Sequence, residues 1–334
     1  MTMSTVRQMQ FFLFVLILGF LLGPRVIEAL QHLQPDVTEP VATNEMRDST
    51  SSGETPEPAL TVIEDPYGEL MLRGKSAYVW DISARQKLYD LNGEARLPLA
   101  SVTKVMMALV AAESLPKESL ITITQNDIAE EGDTGLYAGE IWTMEKLLQF
   151  TLIASSNDGA SAIARTLGEH LSQGTSTDVT AGKKFFIDKM NKRARSIGLT
   201  QTSFQNESGL DLGGDVSGTY GSARDMAMLF DYVFRKHPEL FIPTSYGALD
   251  LRSESGFVHH VTNTNQDAPY ITGFIGSKTG YTDLAGGNLV VLVDIGVNHP
   301  IVIAVLGSTE GERFTDVKKL IAAALIDITH PTPW

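Results

Sequence analysis

Residues 288–306 read NLVVLVDIGVNHPIVIAVL: two runs rich in Val, Ile and Leu, 288–295 and 301–306, on either side of Gly296-Val297-Asn298-His299-Pro300. Such runs, bounded by turn-forming residues, predict the two strands of an antiparallel hairpin. Behind it, apolar residues at three- and four-residue spacing over 313–326 predict an amphipathic helix. A second hairpin lies near the other end, where 77–82 (AYVWDI) and 88–91 flank the polar turn Ser83-Ala84-Arg85-Gln86. The segments between, starting near Ser101, Thr143, Asp158, Gly182 and Ser222, carry helical spacing, and Gly198 sits where a C-terminal cap belongs. Strands at both ends with helices between predict an α+β fold. One antiparallel sheet forms from the N- and C-terminal parts of the domain, flanked by helices, with a mainly helical inserted subdomain. No internal repeat is visible.

The chain has 334 residues, a net charge of -14, no cysteine and seven scattered histidines. Without Cys there is no disulfide framework, thiol nucleophile or thiolate metal site, and no HExxH pairing occurs, so neither a metal nor an organic cofactor is expected. The acidic balance, with no Lys/Arg cluster, argues against a nucleic-acid partner. Charge is unevenly spread. Residues 28–65 hold nine acids against the single base Arg47, so this short stretch carries as much net charge as all of 66–334, with its 31 acids and 23 bases.

The first ten residues carry Arg7 as their only charged side chain, and then 11–22 run FFLFVLILGFLL before Gly23-Pro24-Arg25. This is the layout of an export signal. Twelve helical residues reach about 18 Å, short of the ~30 Å hydrocarbon core. A cleaved signal peptide is one reading, with Ile27 and Ala29 before the cut. An uncleaved anchor extended by Val26, Ile27, Ala29 and Leu30 is the other, because no clean A-x-A site follows. Either places the body outside the cytoplasm. Residues 31–65, rich in Pro, Ser, Thr and Glu and without period, predict a disordered acidic linker, since such composition buries too little apolar surface to offset ordering entropy. Residues 66–330 are the expected catalytic domain.

Its chemistry starts at Leu97-Pro98-Leu99-Ala100-Ser101-Val102-Thr103-Lys104, a serine in the first turn of an apolar helix with a lysine three positions on, hence on the same face. A serine alcohol needs a base, and a desolvated lysine beside a second cation can have its pKa lowered far enough to serve. Alone, the spacing is weak: a cap serine beside a surface lysine is the commoner meaning, and Ser114-Leu115-Pro116-Lys117 repeats it in a polar stretch that reads as a loop. Two further elements change the weight. Ser155-Ser156-Asn157-Asp158 joins two helical segments, so its loop can present Ser155 and Asn157 to a cleft, although the same residues could merely cap the next helix. Gly276-Ser277-Lys278-Thr279-Gly280-Tyr281 holds the chain's only K-[ST]-G, with glycines that allow a strand backbone to approach a ligand.

In this order the three elements resemble the serine acyl-transferases that include penicillin-binding proteins and β-lactamases. Further stretches resemble the D-alanyl-D-alanine carboxypeptidase family: Met190-Asn191-Lys192-Arg193-Ala194 through Ile197-Gly198-Leu199, then Thr202, Phe204, Asn206 and Gly209-Leu210. So do Ser222-Ala223-Arg224-Asp225-Met226-Ala227, Asn263-Thr264-Asn265, and Lys278 through Asp283 to Ala285-Gly286. The resemblance spans roughly 68–328. It implies that Ser101 attacks the carbonyl between the two terminal D-alanines of a peptidoglycan stem peptide, with Lys104 as general base. It further implies that Ser155 relays a proton to the leaving amine, that Lys278 holds the cleft positive and helps keep Lys104 neutral, and that Asn157 orients Lys104. Thr279, Gly280 and Tyr281 would bind substrate, Thr279 through its terminal carboxylate, and the N–H groups of Ser101 and Tyr281 would form the oxyanion hole. Water then releases the acyl-enzyme. β-Lactam antibiotics are implied as covalent inhibitors, the membrane as a partner only if the N-terminal segment is uncleaved, and the bacterial envelope outside the cytoplasmic membrane as the location.

The resemblance admits rivals. A class A β-lactamase would show an E-x-x-L-N loop, and none follows Asn157. Many relatives carry a β-rich C-terminal domain and an anchoring helix, whereas here the sequence stops at Trp334, which leaves a D,D-endopeptidase of cross-links as the alternative. A non-catalytic penicillin-binding sensor is a further reading. Two departures stand out: Glu207 where many relatives have proline, and Ser277 where an aliphatic residue is common. The histidines receive no role.

Overall fold

The computed structural model describes residues 65–132, 134–171 and 179–329. The expected export segment, and all of the expected linker but Asp65, lie outside them. Both predicted hairpins form and share one antiparallel sheet. Strands β1 (Ser76–Asp81) and β2 (Gln86–Leu91) come from the N-terminal side, and β3 (Phe274–Thr282), β4 (Gly286–Asp294) and β5 (Pro300–Ser308) from the C-terminal side. The order is β3-β4-β5-β1-β2, so the seam between chain ends is β5 against β1, with Val79 opposite Ile303.

Period 2 sorts the β-branched runs onto two faces. Val290, Leu292, Val302, Ala304 and Leu306 point into one core, whereas Leu289, Val291, Val293, Ile301, Ile303 and Val305 point into the other. Both faces are covered, which is why these strands read as continuous apolar runs rather than as alternating ones. Burying each such side chain contributes about 1.5–3 kcal/mol.

Among the described residues there are six α-helices: α1 (Lys104–Ala112), α2 (Met144–Ala154), α3 (Asn157–Leu171), α4 (Val179–Ser196), α5 (Ala223–Lys236) and α6 (Glu312–Thr329). Helix α6 packs Val317, Leu320, Ala323 and Ala324 on the second face. The larger core gathers Met106, Leu109, Ile163, Phe186, Met190 and Phe230 from α1, α3, α4 and α5. Ser222 caps α5 by accepting from the Asp225 N–H at 3.1 Å, and Gly198 ends α4 at φ +80°. The fold class is the expected one. The hairpin Ala248–Arg252/Val258–Thr262 was not foreseen, because its strands are short, largely exposed and lack the apolar runs of the main sheet. Among the described residues no helix is long and apolar enough to cross a membrane.

Asp316 on α6 ties the two chain ends together. Its fully buried carboxylate accepts from the Arg73 N–H at 3.0 Å, the Gly74 N–H at 2.9 Å and Ser308 Oγ at 2.8 Å. Asp316→Ala strands these buried donors, at an expected cost of about 2–4 kcal/mol. Chemical denaturation measures it, and a change within about 0.5 kcal/mol, as at an ordinary surface site, contradicts this role.

Candidate active site

The serine and lysine of the first motif do meet. Ser101 lies in a 3₁₀ turn, Ala100–Thr103, that runs directly into α1. Lys104 opens α1 with no solvent exposure, and its Nζ lies 2.9 Å from Ser101 Oγ, 2.6 Å from Asn157 Oδ1 and 2.9 Å from the Ser208 carbonyl oxygen. Three acceptors match the three N–H bonds of an ammonium. When the amine is neutral, the Ser101 hydroxyl can instead donate to its lone pair. The turn is strained: Ala100 has φ +48°, a region costly for any residue with a Cβ. Its carbonyl is held by Thr103 Oγ1 at 2.7 Å and met closely by Gly209, where a Cβ would stand 1.9 Å from that oxygen. Glycine is therefore required at 209, which also has φ +87°.

The second motif splits its labour. Ser156 is the residue that caps α3, accepting from the Gly159 N–H at 2.9 Å. Ser155 ends α2 at φ +61° and accepts from Lys278 Nζ at 2.7 Å, while Asn157 opens α3 and donates to the Glu131 carbonyl at 2.6 Å. The third motif lies on β3, the edge strand beside the Ser101 turn. A Cβ on Gly280 would sit 2.8 Å from the Leu99 carbonyl oxygen and 3.2 Å from the Ser101 nitrogen, so the two backbones meet only because residue 280 is glycine. Thr279 Oγ1 lies 2.6 Å from Thr264 Oγ1, placing the Asn263-Thr264-Asn265 stretch against the strand. Ser277, two residues before Thr279 on the same strand, accepts from Asn265 Nδ2 at 3.0 Å, which accommodates that departure. All eight singled-out residues converge here: Ser101, Lys104, Ser155, Asn157, Lys278, Thr279, Gly280 and Tyr281. The Ser114–Lys117 repeat of the spacing lies in a loop, as read.

A cleft of about 570 Å³ opens over Ser101, Ser155, Thr264, Thr279, Gly280 and Tyr281. It contains one group that the sequence reading missed, Arg313 of α6, which is 6% exposed and donates from Nη1 to the Gly280 carbonyl at 2.8 Å. Nothing near Arg313 in the sequence marks it; only the packing of α6 beside β3 brings it in. Burial pushes Lys104 down to about 7, opposed by the carboxylates of Glu207, Glu130 and Asp158. Lys278 is pushed well below its ordinary value by burial, by Lys104 and by Arg313. Burial thus works against the charged form of Lys278 as it does against that of Lys104. The Arg313 guanidinium is a cation of the cleft that stays protonated although burial also lowers it. Among the described residues no group of three or more His, Cys, Asp or Glu is placed to hold a metal ion.

Sheet, helical insertion and a serine hydrogen-bonded to a buried lysine together define the penicillin-binding and transpeptidase class of proteins. Residues 63–310 match the D-alanyl-D-alanine carboxypeptidase family, and the chain belongs to it. It is 30% identical over 270 residues to the D-alanyl-D-alanine carboxypeptidase DacF of Bacillus subtilis, covering 79% of this chain and 65% of that protein. It is 27% identical over 262 residues to a D-alanyl-D-alanine endopeptidase of Pseudomonas aeruginosa, covering 75% of this chain and 76% of that one. Among solved structures, penicillin-binding protein D2 of Listeria monocytogenes in its ampicillin-bound form superposes with a TM-score of 0.63 at 25% identity, over 76% of this chain and 98% of that one.

Side-chain NMR is expected to show an amine titrating near 7 that disappears in Lys104→Met. An unfolded lysine keeps its proton to about 10.4, so between these values the unfolded state binds more protons and stability rises with pH. Lysine signals that all titrate above about 9 contradict this electrostatic picture.

Proposed function

We propose that the chain is a serine-type D-Ala-D-Ala carboxypeptidase that removes the terminal D-alanine of peptidoglycan stem peptides through an acyl-enzyme on Ser101. The observation that carries this reading is the fully buried Lys104 amine, lowered to about 7 and 2.9 Å from the Ser101 hydroxyl. A general base is most effective with a pKa near the working pH.

In this reading Ser101 Oγ–H gives its proton to Lys104 Nζ as Oγ bonds to the scissile carbonyl carbon. The carbonyl oxygen takes up the charge between the N–H groups of Ser101 and Tyr281, a reading supported by both residues lining the cleft. Collapse breaks the C–N bond, and the leaving amine takes a proton from Ser155 Oγ, which recovers one from Lys278 beside it as Lys104 gives up the proton it took from Ser101. Water then attacks the ester carbon, giving a proton to Lys104. The C–Oγ bond breaks as Lys104 returns that proton to Ser101 Oγ, and the shortened peptide leaves with a free carboxyl group. The terminal carboxylate is held by Thr279 and Arg313, both lining the cleft. An anion there favours the charged form of Lys278, which in turn favours neutral Lys104, so substrate binding itself readies the base. Asn157 keeps Lys104 aimed at Ser101.

β-Lactams are assigned as covalent inhibitors of Ser101, supported by the ampicillin-bound Listeria relative. The site works outside the cytoplasmic membrane of a bacterial envelope, with residues 1–30 as export signal or membrane anchor and 31–65 as a linker. D,D-endopeptidase action on cross-links is the second reading, favoured by the similar Pseudomonas protein of that name.

Purified protein is expected to form a 1:1 adduct with a fluorescent penicillin at Ser101 and to release D-alanine from a pentapeptide. Lys104→Ala should slow acylation about 10²–10⁴-fold. The wild-type rate should rise with pH through about 7 as Lys104 becomes neutral. Equal labelling of wild type and Ser101→Ala refutes the nucleophile. Labelling with cleavage of cross-linked dimers but no D-alanine from pentapeptide replaces this reading with the endopeptidase.

A further inference from the structure

Glu207, the departure from the family pattern, lies beneath the site rather than at its rim. Its residue is 5% exposed, and its carboxylate pairs with Lys183 Nζ of α4 at 2.8 Å. The same ammonium pairs with Glu130 at 3.0 Å and donates to Ser161 Oγ of α3 at 2.9 Å. The residues following these two carboxylates hold the base. Ser208, after Glu207, accepts from Lys104 through its carbonyl. Glu131, after Glu130, accepts from Asn157 Nδ2, and Asn157 Oδ1 accepts from Lys104. Lys183 thus closes a ring: Lys104, Asn157, Glu131-Glu130, Lys183, Glu207-Ser208 and back to Lys104.

We propose that Lys183 is a positioning residue for the reaction, an ammonium clamp that draws Glu207 and Glu130 together and so fixes the two loops that aim the Lys104 amine at Ser101. This rests on the reading of Ser101 and Lys104 as nucleophile and base. The clamp acts through geometry and through charge. Without Lys183 the Ser208 carbonyl and the Asn157 amide lose their shared tether. Lys104 is faced by Glu207 and Glu130 from the loops, Asp158 from α3 and Lys278 from β3, so neutralising the two loop carboxylates is what lets burial win over them. Lys183 is in turn held in its charged form by the pair it bridges.

A merely structural ion pair and this clamp differ in what happens when each partner is removed. Lys183→Met uncovers two anions near Lys104, raises its proton affinity and moves the acid limb of acylation to higher pH. Glu207→Gln deletes one of those anions, lowers that affinity and moves the limb to lower pH, although both substitutions break the same ion pair. The test is the acylation rate of the full chain by a fluorescent penicillin from pH 5 to 10, for wild type, both variants, Lys183→Arg and Ser101→Ala. Expected are opposite displacements of about half a pH unit or more, a rate at least about tenfold lower in Lys183→Met, and substantial recovery in Lys183→Arg. Limbs that do not move, or move together, while wild type labels at Ser101, overturn the clamp and leave the nucleophile standing. Equal labelling of Ser101→Ala overturns both. If Lys183→Met does not fold, Glu207→Gln decides alone: a limb displaced downward supports the clamp, and one unmoved or displaced upward overturns it.

Discussion

Taking the Lys104 amine out of water sets terms that much of the molecule serves. A buried ammonium without partners is costly enough to give up its proton, whereas one with perfect partners and close carboxylates never would. The protein holds the balance between these limits. Three oxygens satisfy the amine, and each comes from a different segment: the Ser101 turn, the start of α3 and the loop through Ser208. These three segments must therefore come together correctly before the base exists at all, so folding and chemistry share one constraint.

The rest of the cleft follows from how closely backbones approach one another around that amine. Ala100 is left-handed without being glycine, and the strain is held by Thr103 Oγ1 and by the bare α-carbon of Gly209. Gly280 lets β3 close to within contact of the turn, and residues 101 and 281 line the same cleft. Edge position matters here: β3 is bonded to β4 on one side only, which leaves its other side free to face the Ser101 turn and a ligand.

What could be read from sequence follows the range of the forces involved. The β-branched runs of β4 and β5 and the periodicity of α1 to α6 are local, and they named the fold; the three motifs are local too, and each proved to be a segment that enters the cleft. The hairpin at 248–262 escaped because its strands are five residues long and mostly exposed. Arg313 escaped because its role depends on α6 lying beside β3, and the Lys183 clamp because its partners are far apart in sequence, with Glu130 on one side and Glu207 on the other. The electrostatics of the cleft escaped for the same reason. The burial and neighbouring cations that lower Lys278 are products of packing. Glu207 did draw notice as an odd residue, although its partner could not be named.

The central claim is that a single buried amine activates Ser101 within a cleft already shaped for a tetrahedral oxyanion. Its most direct test is a crystal structure of the protein soaked with a slowly hydrolysed β-lactam. The account requires continuous density from Ser101 Oγ to the acyl carbon, with the acyl oxygen about 3 Å from the backbone nitrogens of Ser101 and Tyr281 and Lys104 Nζ still at the ester. An adduct on any other residue, or an acyl oxygen turned away from those nitrogens, would contradict it.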